Sequence, residues 1–434
     1  MVLFSPLTWA VRNLRKARWH TLAIRILLLI SLLFFIYLAV RRAVAAAYFR
    51  EASPNAVQTA ISWDPANPEY YDALGTLKHL SADIGNPQHE IVQLYQNATH
   101  LSPQDAQFWA DLGAGYDWAG RSKEALDAFE HARRLFPNSP EINWRLANFY
   151  VRAGKTPEAL LALGMVLQKD STAGKRVFTL ATNVTSDRNK VLKMIPPQPR
   201  FYFDYLNFLI EKGDLAGAEE VWVRVLQLGL PFDLREAFPY LDALIQHAEL
   251  SQLSKVWSAL AQRFPAHIQR PASNSNLVTN GGFESDILNG GLDWRVLPTG
   301  GAVVALDSEG VVEGAHALRI TFDGSRNIDY GHVFQFVLVQ PKTRYRFSGR
   351  MRVQGVTTDS GLRFQVCDAY NVSKIFVTSE NLVGTSGWAE QSAEFTTFAD
   401  TRLLLVRVVR SVSEKLDSQI AGSAWIDDLR LAAE

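Results

Sequence analysis

Hydrolytic chemistry needs a carboxylate pair or an activated nucleophile held in a pocket. In the first half of this 434-residue chain the acidic residues fall on predicted turns and outer helix faces, as in Lys123-Glu124 and Glu219-Glu220, where they read as solvated surface. The histidines, at 20, 79, 89, 100, 131, 247, 267, 316 and 332, are scattered and never take the His-Glu-x-x-His spacing of a metal site. Cys367 is the single cysteine, which excludes an intrachain disulfide and a cysteine-based zinc site. It sits in the alternating run Arg363-Phe364-Gln365-Val366-Cys367, where a small buried hydrophobe is expected and not a nucleophile. Neither a Gly-x-Ser-x-Gly elbow nor a phosphate-cradling Gly-x-x-x-x-Gly-Lys loop occurs. Lysine plus arginine equals aspartate plus glutamate, 44 against 44, so no global field draws the chain to nucleic acid. The expectation is a chain without a reaction centre.

What the chain does offer is elements that position recognition surfaces. Between Ala106 and Ser139, Trp109, Leu112 and Tyr116 fall on one face of a predicted helix, and Gly120 closes a turn. Ala125, Phe129 and Ala132 then form the inner face of a second helix, which Pro137 stops. Small residues at Gly113 and Ala125 let the two helices approach closely. One period later stand Leu146, Ala147, Tyr150, Gly154, Ala159 and Leu163. Upstream, Tyr71, Leu74 and Gly75 pair with Tyr95, Ala98 and Pro103, with extra residues in the turn around Gly85-Asn86-Pro87. Downstream come Tyr202, Tyr205, Gly213, Ala218, Trp222 and Val225, then a weaker set of Tyr240, Leu244, Trp257, Leu260 and Pro265. Residues 171–197 read as a shortened pair ending at Pro196-Pro197, and 56–65 as a lone second helix.

This residue set, at a period of about 34, resembles the tetratricopeptide repeat. The resemblance implies helix pairs stacked into a superhelix with a concave groove, and a role in protein–protein contact. Groove positions carried over from the family are Asp117, Trp118, Trp144, Asn148, Arg152, Phe203 and Asn207. Aromatic residues there suit a partner peptide or an internal helix; the alternative is that Trp118 and Trp144 pack against neighbouring helices and bind nothing.

The N-terminus carries a targeting signal. From Leu22 to Val40 the sequence is almost wholly apolar, with Arg25 the one charge near its start, and an apolar helix of about 20 residues matches the hydrocarbon thickness of a bilayer. Arg25 lies near enough the end to snorkel. Arg12, Arg15, Lys16 and Arg18 precede the apolar core and Arg41, Arg42 and Arg50 follow it, a bias that favours a cytoplasmic N-terminus and an exported remainder. Ala43-Val44-Ala45 has the small-x-small form of a cleavage site, so a cleaved signal peptide is the competing reading. The long basic leader and Arg41-Arg42 directly after the apolar core favour an uncleaved anchor.

Composition changes near the polar stretch Pro271-Ala272-Ser273-Asn274-Ser275-Asn276. Beyond it helical period gives way to alternation, at 317–322, 332–338, 345–351, 362–366 and 403–408, which predicts an all-β sandwich. Asn276-Leu277-Val278-Thr279-Asn280-Gly281-Gly282-Phe283-Glu284 opens the domain and Trp294 follows; Trp388 introduces a late strand and Ala424-Trp425-Ile426-Asp427-Asp428-Leu429-Arg430-Leu431 closes it. Over residues 276–434 this resembles the jelly-roll carbohydrate-binding modules of the galactose-binding-like fold. Sugar binding in such modules uses flat rings that stack on pyranose C–H faces beside hydrogen-bonding side chains. The candidates are Tyr330, Tyr345, Tyr370 and Phe376, with Arg350, Arg352 or Gln365 nearby in sequence; several alternate with apolar neighbours and suit a core equally. Trp294 and Trp388 occupy motif positions that are usually structural. The resemblance also implies a structural calcium tying first strand to last, with carboxylates from Glu284 and from Asp427 or Asp428; two solvated acids are the alternative, and no other cofactor is expected.

The expected order is therefore a basic leader (1–21), a transmembrane helix (22–42), a linking helix (43–67), a repeat solenoid (68–270), a linker (271–275) and a jelly roll (276–434). The fold class is multidomain, an α-helical solenoid followed by an all-β sandwich. Such a chain is expected to sit in the cytoplasmic membrane by one span, its bulk periplasmic, as a scaffold with a protein partner and a possible polysaccharide ligand. Its rival is a glycan receptor in which the repeats are only a spacer.

Overall fold

The computed structural model describes residues 6–81, 88–268 and 276–434. The turn at Gly85–Pro87 and the linker 271–275 lie outside the described residues. Two compact units divide the chain, Met1–Pro197 and Gln198–Glu434.

The first unit is helical. Helix α1 (Pro6–Phe49) carries the apolar stretch, and its segment Leu22–Phe49 is long and apolar enough to cross a membrane. None of that segment's most apolar window is buried, and Leu27, Leu28 and Phe35 are each more than 60 % exposed. The expected boundary at 42 does not appear as a break. The helix runs on to Phe49, and only then does Ala52, at φ +50°, turn the chain before Ser53-Pro54 opens α2 (Pro54–Trp63). Ala45 is fully buried and the Phe49 ring lies 4.9 Å from that of Tyr70, so the end of α1 belongs to the packed body.

Three well-formed pairs follow: α3 (Pro68–Leu80) with α4 (Gln88–Leu101), α5 (Ala106–Trp118) with α6 (Ser122–Leu135), and α7 (Pro140–Arg152) with α8 (Thr156–Lys169). Each first helix starts where a side chain caps it. Asn67 Oδ1 accepts from Glu69 N (3.0 Å), Asp105 Oδ1 from Gln107 N (2.8 Å) and Ser139 Oγ from Ile142 N (3.2 Å). Proline at the first turn of α3 and α7 pre-sets the backbone there. Gly120 and Gly154 close the turns at φ +73° and +69°, where an L side chain would be strained. A Cβ on Gly113 would lie 2.8 Å from Phe129 Cδ1, which is why the α5–α6 pair needs glycine at this crossing. The short helices α9 (Gly174–Val184) and α10 (Arg188–Met194) form the shortened pair.

The second unit opens with α11 (Pro199–Glu211) and α12 (Leu215–Leu228), then α13 (Phe238–Gln246) and α14 (Leu250–Arg263). It continues into two five-stranded antiparallel sheets. The first runs β1 (Arg295–Val296), β4 (Tyr330–Leu338), β9 (Leu403–Arg410), β6 (Arg363–Asp368), β7 (Ile375–Thr378). The second runs β2 (Ala302–Asp307), β3 (Ala317–Asp323), β10 (Ala421–Ala433), β5 (Arg344–Val356), β8 (Gly384–Thr396). Val333, Val337, Phe364, Val406 and Val408 from one sheet meet Ile320, Phe347, Met351 and Ile426 from the other in a single core. Trp294, fully buried, stacks on Phe283 at 5.2 Å and donates its indole N–H to the Asn280 carbonyl (3.1 Å). Trp388 does not introduce its strand but lies within β8.

Candidate functional site

In the first unit the groove candidates pair with one another along successive first helices. Arg152 Nε on α7 donates to Asp117 Oδ2 on α5 (2.9 Å). Trp118 stacks on His79 of α3 at 4.9 Å, and Trp144 receives the Arg176 guanidinium at 4.9 Å. Asn148 donates to the Trp144 carbonyl (2.8 Å). Asp117, Trp118, Trp144 and Asn148 remain half-buried and Arg152 exposed, so these five line an accessible face. The other two candidates, Phe203 and Asn207, lie on α11 of the second unit. Phe203 is only 3 % exposed, packed 5.2 Å from Phe232, so it is core and not groove surface. Asn207 keeps its carbonyl oxygen buried.

The same face holds a cluster that the periodicity reading missed. Asp111 and Arg145 occupy one position in consecutive repeats and form an ion pair, and Gln107 Nε2 donates to the second Asp111 oxygen (2.9 Å). Asp72 of α3 lies beside them. Burial first, then the Asp111 charge, raise its carboxyl to about 7. A carboxyl raised in the folded state favours folding most below the ordinary range of ~3.9, and that contribution is lost as pH rises through about 7. The stability of this unit is therefore expected to fall between about pH 4 and about 7. Asp72→Asn should flatten that fall by on the order of 1–3 kcal/mol in denaturant melts; an unchanged slope would refute the assignment.

In the second unit the expected sugar platforms divide. Tyr330 (2 % exposed) and Tyr345 (1 %) are core residues and cannot stack on a ligand. Both stand in alternating runs whose inward face the sequence alone left undetermined. Tyr370 is half exposed, but its hydroxyl donates to the Ile245 carbonyl of α13 (2.7 Å). Phe376 packs between Phe395 (5.1 Å) and Phe398 (5.2 Å) at the rim of the two sheets. Arg350 lies on the second sheet with Glu390 and Asp428, away from the other candidates. The proposed platforms do not converge.

A cavity of about 380 Å³ lies instead on the outer face of the first sheet. Strand alternation puts Phe364 and Val366 into the core and Gln365 and Cys367 outward; Val406 and Val408 point in, Arg407 and Val409 out. Gln365, Arg407, Val409, His332, Leu297 and Asp329 line the cavity. Arg407 donates from Nε (2.8 Å) and from Nη2 to Gln365 Oε1, which fixes the guanidinium plane. At one end the buried Arg410 donates from Nε to the Ser360 carbonyl (2.7 Å) and from its η nitrogens to the Ile328 and Ser418 carbonyls. Of the residues bordering the cavity the sequence had offered Gln365 and Tyr330 as candidates, and the Tyr330 ring is buried beneath it.

Toward the other end of the same face, helix α13 covers the sheet. Arg295 on β1 pairs with Asp242, its guanidinium lies 5.4 Å over Phe336, and Tyr370 after β6 reaches Ile245. A Cβ on Gly290 would stand 2.2 Å from Phe238, and on Gly291 2.4 Å from Trp257, so this loop is pressed against both helices. Cys367, which alternation turns outward, is fully buried, and burial raises its thiol pKa. It is inert by inaccessibility.

The calcium expectation meets a mixed set of residues. Asp427 is fully buried and accepts from Val312 N (3.0 Å), Glu313 N (3.3 Å) and Asp428 N (2.7 Å), while desolvation raises its pKa. Glu284 accepts from Ala315 N and His316 N (2.9–3.1 Å). A Cβ on Gly282 would lie 3.7 Å from Asp427 Oδ1 and 3.8 Å from Glu284 Cγ, so the two acids approach one another there. Both carboxylates already accept amide N–H donors, and a hard cation there would need backbone carbonyl oxygens beside these two acids. Asp428 does not fit: it is held by Arg350 and Arg430. Among the described residues no group of three or more His, Cys, Asp or Glu side chains is placed to hold a metal.

Comparison with known proteins agrees with both halves of the fold. Residues 119–183 match the tetratricopeptide repeat family, and residues 275–409 match a carbohydrate binding domain family. Residues 119–183 are thus similar to tetratricopeptide repeats, and residues 275–409 to a carbohydrate binding domain. Among curated proteins it is similar to the peroxisomal targeting signal receptor of Kluyveromyces lactis, 28 % identical over 107 residues, which is 25 % of this chain and 18 % of that one. Superkiller protein 3 of Schizosaccharomyces pombe is 30 % identical over 79 residues, 18 % of this chain and 6 % of that one. The chain thus spans less than a fifth of either relative. Among solved structures, a xylan-binding domain from Paenibacillus barcinonensis is 16 % identical with a TM-score of 0.26, covering 35 % of this chain and 91 % of that one.

Proposed function

We propose that this protein is a non-enzymatic scaffold, anchored in the cytoplasmic membrane by Leu22–Val40 and exposing its repeats and sandwich on the far side. The repeat groove takes a protein partner, and the sandwich takes a glycan in the cavity on its first sheet. Its place would be in envelope or exopolysaccharide assembly. The observation that carries this reading is the pairing of two accessible recognition surfaces, a charged and aromatic helical face at Asp117–Trp118–Arg152 and a polar cavity at Gln365–Arg407, in one chain.

The cavity also favours the receptor reading, in which the repeats are a spacer. Pull-down from native membranes with the intact protein separates the two. A scaffold should lose its protein partner on Asp117→Lys with Trp118→Ala while keeping any polysaccharide; if the partner's recovery is indifferent to the groove, the receptor reading takes its place. We further propose a structural calcium held by Glu284 and Asp427, which when bound would tie the opening segment to β10. The expected result is a calcium-dependent rise in the melting temperature of the sandwich that Asp427→Asn removes; a melting temperature unmoved by calcium or chelator would rule it out.

A further inference from the structure

The cavity on the first sheet has a charge character that bears on which glycan it takes. Two guanidinium groups, Arg407 and Arg410, line it against one carboxylate, Asp329. Arg410 spends its donors on the Ser360, Ile328 and Ser418 carbonyls and is fully buried. Arg407 is different. Its Nε and Nη2 donate to the Gln365 amide oxygen, a neutral acceptor, and among the described residues it has no ion pair. It is half-buried on the cavity wall. The register Phe334↔Arg407↔Gln365 places it in the middle of the sheet, flanked by strands on both sides. Other arginines on the sandwich meet acids, as Arg344 meets Glu394, Arg319 meets Asp307 and Arg430 meets Glu313. An arginine whose plane is fixed by an amide, whose charge is uncompensated and whose remaining donors face a cavity is arranged for a planar anion.

We infer that this cavity recognises an acidic sugar unit, its carboxylate paired with Arg407 while Gln365 orients the guanidinium and Leu297 and Val409 receive the apolar edge of the ring. This rests on the reading of the sandwich as a glycan-binding module and narrows it to uronate-bearing chains. A carboxylate is coplanar and takes two parallel N–H bonds from arginine, which a tetrahedral sulfate or a neutral hydroxyl does not match as well. The volume, about 380 Å³, lies at the small end of the ~300–1,000 Å³ typical of ligand pockets, which suits one or two sugar units.

The test uses the full-length protein in detergent with polygalacturonate, alginate and glucuronoxylan, each alongside its carboxyl-reduced form, and with a sulfated galactan and a neutral β-glucan. Binding to at least one uronate polymer is expected, weakened ten-fold or more by carboxyl reduction (about 1.4 kcal/mol or more) and equally by Arg407→Gln. Gly331 borders the cavity and a Cβ there meets nothing within 4 Å, so Gly331→Trp should fill the cavity and abolish binding without disturbing the core. Gly387, equally open but on the second sheet, provides the control: Gly387→Trp should leave binding intact. If the reduced or neutral polymers bind as well as the acidic ones, the uronate assignment is overturned while glycan binding stands. Preference for the sulfated galactan likewise overturns it in favour of a different anion. If no polymer binds, both fail.

Discussion

Deleting residues 1–40 is expected to move this protein from the membrane fraction to the soluble fraction with its helical unit still folded. The cut is chosen on structural grounds. Leu22–Val40 presents its side chains outward, with Leu27 at 70 % and Leu33 at 57 % exposure, so these residues contribute nothing to the packed body. In water they would form an apolar patch far beyond what a soluble surface carries, and in lipid they would find their solvent. Residues from Ala43 onward are another matter, since Ala45 is buried and Phe49 meets Tyr70. A cut at 50 would damage the body and confuse the result. Fractionation after high-salt washing measures the outcome. If the 41–434 protein stays wholly with membranes, the apolar helix is not the anchor. If the native protein is found to begin near residue 46, the segment is a cleaved signal.

The second large effect is expected at Arg410, replaced by methionine. Its side chain is fully buried, and its guanidinium gathers the Ser360, Ile328 and Ser418 carbonyls, the Thr358 hydroxyl (3.3 Å) and the Asn327 amide oxygen (3.2 Å). Three loops at one end of the first sheet are thus held by a single cation. Burial lowers its pKa, yet an arginine remains charged at any physiological pH. Methionine would fill the volume and leave those carbonyls without donors. Each costs about 1–3 kcal/mol when buried and unsatisfied, and water would reach some of them. A loss of about 3–5 kcal/mol in sandwich stability is the expected sum, read by chemical denaturation. A loss below about 1 kcal/mol would mean the loops hold themselves. Arg407→Gln, three residues away and on the outer face, should cost little stability, and the contrast between the two arginines checks the inward–outward assignment of β9.

The repeats were legible in the sequence because their determinants are local. A capping side chain, a turn glycine and a small residue at the crossing recur at a fixed spacing, and each acts within its own helix pair. The strands were legible where Val, Ile and Phe alternate, as in β3, β4 and β9. They were faint in β2 and β7, which are short, and in β8, whose large apolar residues are just Trp388 and Phe395. Alternation fixes which residues share a face but not which face is the core. For that reason Tyr330 and Tyr345 suited a ligand platform or a core equally, and they lie inside. The cavity was not legible, since it joins Leu297, His332, Gln365 and Arg407, brought together only by the order β1-β4-β9-β6. The Asp72–Asp111–Arg145 cluster had a partial signal in the 34-residue spacing of its last two members. The placing of α13 on the sheet had none: it rests on two glycines, one arginine and one tyrosine hydroxyl.

A partner-binding role for the repeats requires that the helical face at Asp117, Trp118 and Arg152 meet a protein. Photo-crosslinking settles that in the intact protein, in its native membrane, with the photoreactive residue placed at Trp118 and, as a control, at Glu124 on the outer surface of α6. A discrete adduct from position 118 is expected, absent from position 124 and lost when Arg152→Glu reverses the ion pair with Asp117. Identical adducts from both positions, or an adduct unaffected by Arg152→Glu, would contradict a partner-binding groove and leave the repeats as a spacer.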